Sequence, residues 1–61
     1  MRLIKDEKIS IINDIISMQH KLKLKGVLHD ETNKKELKKL SSGDLLWCYQ
    51  VTLMLYKSEV E

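Results

Sequence analysis

The sequence contains no proline and no phenylalanine, and only two glycines, one cysteine and one tryptophan. With no proline and few glycines to interrupt them, long helices are favoured. The single cysteine, Cys48, cannot close an internal disulfide. A chain this short in an oxidising compartment is normally rich in paired cysteines, so a cytoplasmic setting is expected. The first residues, Met-Arg-Leu-Ile-Lys-Asp-Glu-Lys, lack the apolar core of a signal peptide. No apolar run approaches the roughly 20 residues that span a bilayer, so no membrane association is expected. Gly26 and Gly43 stand alone, which excludes a glycine-rich phosphate loop. The soft or borderline metal ligands are His20, His29 and Cys48, and none share the short spacings of a zinc site. Asp30 and Glu31 beside His29 lack the alternating oxygen ligands of a calcium loop. The acidic residues fall at helix ends or on wet faces, where capping and solvation account for them. No catalytic residue, metal or cofactor is therefore expected.

What is present is 61 residues rich in lysine, isoleucine and leucine. This length allows one helical domain over 1–61, and a marginal one, because small domains bury only roughly 60% of their unfolded surface. The net charge of +2 conceals a pattern. Residues 1–20 are balanced. Residues 21–39 set seven lysines against Asp30, Glu31 and Glu36, and residues 40–61 set Lys57 against Asp44, Glu59 and Glu61. The middle is basic and the end acidic, a field that orients partners without defining one.

The first helix is predicted from about Lys5 to Lys25. Ile4, Ile11, Ile15, Met18 and Leu22 fall within an arc of about 60° at helical pitch. Ile9, Ile12 and Ile16 form a second stripe beside it. Isoleucine favours strands, but this spacing is helical. Asp6 and Glu7 suit the positive helix start, and Lys21, Lys23 and Lys25 the negative end. Gly26 reads as the left-handed residue past the C-terminus. After a connection at His29 to Thr32, Asn33-Lys34-Lys35-Glu36 has the form of a capping box. It opens a short helix, roughly Lys34 to Leu40. Ser41 or Ser42 then caps a last helix from Ser42 or Gly43 to about Ser58. At Gly43 the sequence allows either a break or a bend.

The last helix is apolar nearly all round, since Leu45 to Tyr56 has only Gln50 and Thr52 as polar residues. A helix of a small monomer needs one apolar stripe and one wet face. Here Trp47, Val51 and Met54 share one side, and Leu45, Tyr49 and Tyr56 another. Leu46 and Leu53 are expected to supply the intramolecular core. So short a chain cannot enclose this helix, and another molecule must cover it, either a second copy or a target. Trp47, Tyr49, Val51, Met54 and Tyr56 are the candidate protein-binding residues, because Trp and Tyr anchor interfaces and Met adapts to them. Lys21, Lys23, Lys25, Lys34, Lys35, Lys38 and Lys39 are candidate phosphate contacts. They lack an arginine, an interleaved aromatic or a recognition-helix pattern, so nucleic acid is the weaker expectation. Cys48 lies in the apolar stretch and reads as a packing residue.

Leu40-Ser41, Asp44, Leu45-Leu46 and Tyr49 resemble the opening of the first helix of Sda, the small sporulation checkpoint inhibitor. The likeness covers about a quarter of the chain, and the family's second helix has no counterpart after Ser58. The resemblance implies a helical hairpin that blocks a larger regulatory enzyme by binding it, as small regulators of phage and Gram-positive bacteria do. No functional residue is carried over from it. The whole reading is an all-α helical hairpin with a short extra helix at the turn, assembling into a dimeric or tetrameric bundle. The expected function is a non-enzymatic inhibitor or adaptor that binds itself and a larger protein. The alternatives are a small basic nucleic-acid-binding regulator and a structural or assembly subunit of a larger complex.

Overall fold

The computed structural model describes residues 4–60. They form three helices, α1 (Lys5–Leu24), α2 (Lys34–Lys39) and α3 (Ser42–Glu59), with no strand among the described residues. No helix among them is long and apolar enough to cross a membrane.

Local chemistry explains each boundary. Ile4 precedes α1 in extended backbone, and its side chain cannot accept a hydrogen bond. Glu7 compensates by accepting the Ile4 N–H at 3.3 Å, the half of a capping box that needs no polar cap. At the other end Gly26 takes the left-handed conformation, with φ +79°. Its N–H donates to the Lys23 carbonyl and that of Val27 to the Leu22 carbonyl, both at 3.0 Å. This pair of bonds is a Schellman motif. Asn33 caps α2, its side-chain oxygen accepting the Lys35 N–H at 2.8 Å. Ser41 caps α3, its hydroxyl accepting the Asp44 N–H at 3.2 Å. Leu40 and Ser41 are both extended, so α2 and α3 are separate helices. The break falls before Gly43, which lies inside the first turn of α3.

The expected pair of long helices is present, and its sense is parallel. Near their starts Ile12 and Ile15 share a core cluster with Leu45, while near their ends Lys21 meets Tyr56. A short turn would have opposed the helices. Instead the chain from Lys25 to Ser41 folds back along α1. Thr32 bonds Gln19 on the way, and Leu37 joins the Ile12–Ile15–Leu45 cluster. Lys38 then stands beside Lys5 and Lys8. The return delivers the start of α3 to the N-terminal half of α1, and α3 runs forward beside it.

The core is small. Ile12, Ile15, Leu22, Leu37 and Leu45 are fully buried, and Thr52 nearly so. Ile11, Ile16, Leu40, Cys48 and Tyr49 pack around the central cluster. The α1 contact therefore lies between the two predicted isoleucine stripes, leaving Ile4 and Ile9 exposed. On α3 the core is centred on Leu45 and Thr52 instead of Leu46 and Leu53, which are only half-buried. Leu46 and Leu53 sit on the flank of that inner face, and an all-round apolar helix gives no periodic signal to say which side turns inward.

Two predictions follow from these positions. Leu45→Ala or Ile15→Ala should lower unfolding free energy by about 2–5 kcal/mol, and Leu53→Ala by clearly less, as read from urea unfolding. The two glycines should respond with opposite sign, since nothing lies within 4 Å of a Cβ added at either. Gly26→Ala should destabilise by about 1–2 kcal/mol through its left-handed backbone. Gly43→Ala should stabilise by about 0.5–1 kcal/mol through helix propensity and chain entropy.

Candidate protein-binding surface

The parallel packing decides which side of α3 is free. Leu45, Cys48, Tyr49 and Thr52 turn toward α1 and the core. Tyr56 stays on that side, its hydroxyl accepting from the Lys21 ammonium at 3.4 Å. The same ammonium stands 5.6 Å from the ring centroid, within range of a cation–π attraction. Trp47, Val51 and Met54 face outward, with exposures of 68%, 44% and 70%. Of the five predicted binding residues, then, these three lie in the open, while Tyr49 and Tyr56 are half-buried against α1.

Beside the exposed stripe lies a cleft of about 310 Å³. Leu37, Leu40 and Glu36 border it from α2, and Trp47, Cys48, Val51 and Thr52 from α3. Gln19 and Thr32 close one end. The Gln19 amide donates to the Thr32 hydroxyl at 3.1 Å and accepts the Thr32 N–H at 2.9 Å. That reciprocal pair ties the returning chain to α1 beside the cleft. It spans thirteen positions, which is why no local pattern in the sequence announces it.

The seven candidate lysines are not brought to one place. Lys21 is held at Tyr56, and Lys23 lies 3.8 Å from Glu31. Glu31 also stands 3.4 Å from His20. Lys38 is carried to the far side of α2, where it joins Lys5 and Lys8 around Ile9 and Ile12. Lys25, Lys34, Lys35 and Lys39 are exposed. Lys5 and Lys8 belong to this last grouping and were not legible as such, because their partner comes from a different helix. Among the described residues no group of three His, Cys, Asp or Glu side chains is placed to hold a metal ion. The half-buried thiol of Cys48 lines the apolar cleft, consistent with packing.

No family model matches the chain, and no curated protein or solved structure matches it. The surface is therefore read from its own chemistry: an exposed Trp and Met, a Val between them, and an apolar cleft along one edge.

The Gln19–Thr32 pair gives a direct check on how the returning chain is held. Gln19→Ala removes both bonds, and at about 0.5–1.5 kcal/mol each should lower stability by about 1–3 kcal/mol. Amide exchange of residues 28–33 should accelerate while that of α1 and α3 changes only in step with global stability. Unchanged exchange in that loop would show that the pair does not anchor it.

Proposed function

We propose that this chain is a small non-enzymatic protein-binding regulator, an inhibitor or adaptor that acts in the cytoplasm on a larger protein. One observation carries this reading: Trp47 and Met54 are the most exposed large apolar side chains on α3, and they flank Val51 on a single stripe beside the cleft. Exposing a Trp and a Met to water is unfavourable by roughly 1.5–3 kcal/mol for a side chain of this size, and a partner that covers them recovers that energy. Aromatic anchors dominate the energetics of protein interfaces, and Met supplies contact that adapts to different shapes. An apolar helix of a target laid along the cleft is the recognition mode that suits such a groove. The likeness of Leu40-Ser41, Asp44, Leu45-Leu46 and Tyr49 to the Sda family supports the same mode of action.

The second reading is a small basic nucleic-acid-binding regulator, favoured by the meeting of Lys38 with Lys5 and Lys8. A phosphate-binding cluster of this kind would lose affinity steeply with added salt.

The test begins with affinity capture from the source cell and mass spectrometry of what is retained, followed by titration of the purified partner. Trp47→Ala should weaken that binding by more than about 2 kcal/mol. Leu24→Ala, equally exposed but on α1, should leave it unchanged. A duplex or single strand titrated at low salt should show no binding. Salt-sensitive binding lost in Lys38→Ala would move the assignment to the second reading.

A further inference from the structure

The start of α1 sorts its charges by side. Lys5, Lys8, Ile9 and Ile12 follow the spacing that keeps residues on one helical face. They border a recess of about 220 Å³ that Lys38 closes from α2. Asp6 and Glu7 are turned away and border a separate recess with Ser10 and Ile11. Glu36, the acidic residue of α2, borders the apolar cleft. The recess between α1 and α2 is therefore lined by charge of one sign.

Those charges are uncompensated. Lys21 and Lys23 have partners in Tyr56 and Glu31. None of Lys5, Lys8 and Lys38 has a hydrogen-bond or ion-pair partner among the described residues, although Lys8 is half-buried. The burial of Leu37 in the Ile12–Ile15 cluster is what carries Lys38 to this place. Lys5 and Lys8 also stand near the positive end of α1, where a cation is unfavourable and an anion favourable. Apolar packing thus gathers like charges, and an anion is the occupant that relieves them.

The floor of the recess narrows the class of anion. Ile9 is 39% exposed, and Ile12 beside it is buried. Among the described residues no aromatic ring borders the recess, so no base has a platform on which to stack. Lysine ammoniums are point charges and lack the fork that grips a phosphate or a base edge through two bonds. Carboxylates spaced along a peptide suit separate ammoniums on flexible stems, and an aliphatic side chain between them suits Ile9.

We propose that the recess bounded by Lys5, Lys8 and Lys38 docks an acidic segment of a partner protein, its carboxylates paired with the ammoniums and an aliphatic side chain seated on Ile9. The proposal rests on the reading of this chain as a protein-binding regulator. It adds a second contact region, across α2 from the cleft, and gives the charge of the segment that fills it.

The probe is a short fluorescein-labelled peptide of glutamate and leucine at helical spacing, titrated into the full chain at low salt. It should bind, and added salt should weaken the binding. Lys8→Glu with Lys38→Glu should raise the dissociation constant about tenfold, through two lost ion pairs and two new repulsions. A glutamate near the start of α1 favours the helix, and circular dichroism should show the helices retained. Should the pair disturb the fold, Lys5→Glu with Lys8→Glu serves in its place. Lys25→Glu with Lys57→Glu makes the same change in net charge at exposed positions outside the recess, and should weaken binding by less than about twofold. A peptide with serine in place of leucine should bind more weakly. The proposal is overturned by a peptide that does not bind, by equal binding of the serine peptide, or by equal loss in the two charge-reversal pairs. Binding of single-stranded oligothymidylate that is lost in Lys8→Glu with Lys38→Glu, without binding of the peptide, would assign the recess to nucleic acid. The regulator reading fails separately. A captured target that needs Trp47 but ignores Lys8→Glu with Lys38→Glu keeps that reading and loses this one. A peptide held at the recess, with no target that depends on Trp47, does the reverse.

Discussion

The buried cluster that Leu37 shares with Ile12, Ile15 and Leu45 is what the rest of this structure depends on. It joins all three helices through a single point. For Leu37 to reach it, the chain must leave α1 at Gly26, double back, and pass Gln19 with Thr32 bonded to it. For Leu45 to reach it, α3 must start beside the N-terminal half of α1. The parallel sense of the two long helices follows from that meeting together with the contact of Lys21 with Tyr56 near their ends.

Enclosure is limited by length. The return segment holds one short helix of six residues, with Leu37 its one buried side chain. That is enough to cover one edge of the α1–α3 seam and too little to cover the outer side of α3. Leu40 reaches the cleft but does not fill it. The same shortage leaves the core with five fully buried apolar side chains among the described residues. A core of this size stabilises a chain only marginally, so any molecule that bound the folded form alone at the open face would add to its stability.

The sequence was most legible where signals are local. The caps at Asn33 and Ser41 and the left-handed Gly26 are short-range chemistry, and each falls where its residue type places it. The long spacing of the isoleucines gave α1 its helical state, although the contact line runs between the two stripes. That Trp47, Val51 and Met54 share one side of α3 follows from helical spacing, but that this side faces water does not, because an all-round apolar helix carries no periodic signal for it. Less was legible about the inner side of α3. Leu46 and Leu53 looked as apolar as Leu45, and the near-burial of Thr52 contradicts its polarity. The parallel sense, the Gln19–Thr32 clamp and the cleft were not legible at all, since each depends on residues far apart in sequence. Lys38 illustrates the same limit: it belongs by sequence to the lysines of α2 and by position to Lys5 and Lys8 of α1.

Charge and burial divide the work on this molecule. Among the described residues the Lys23–Glu31 ion pair and the His20–Glu31 contact are exposed or half-exposed, and exposed ion pairs are worth about 1 kcal/mol at most. They stitch the returning chain to α1. The buried side-chain polar atoms are all partnered among the described residues. What is left with free energy to release is the apolar stripe of α3 and its cleft. That energy is released by covering the stripe, and non-directional burial does not choose among partners of similar shape.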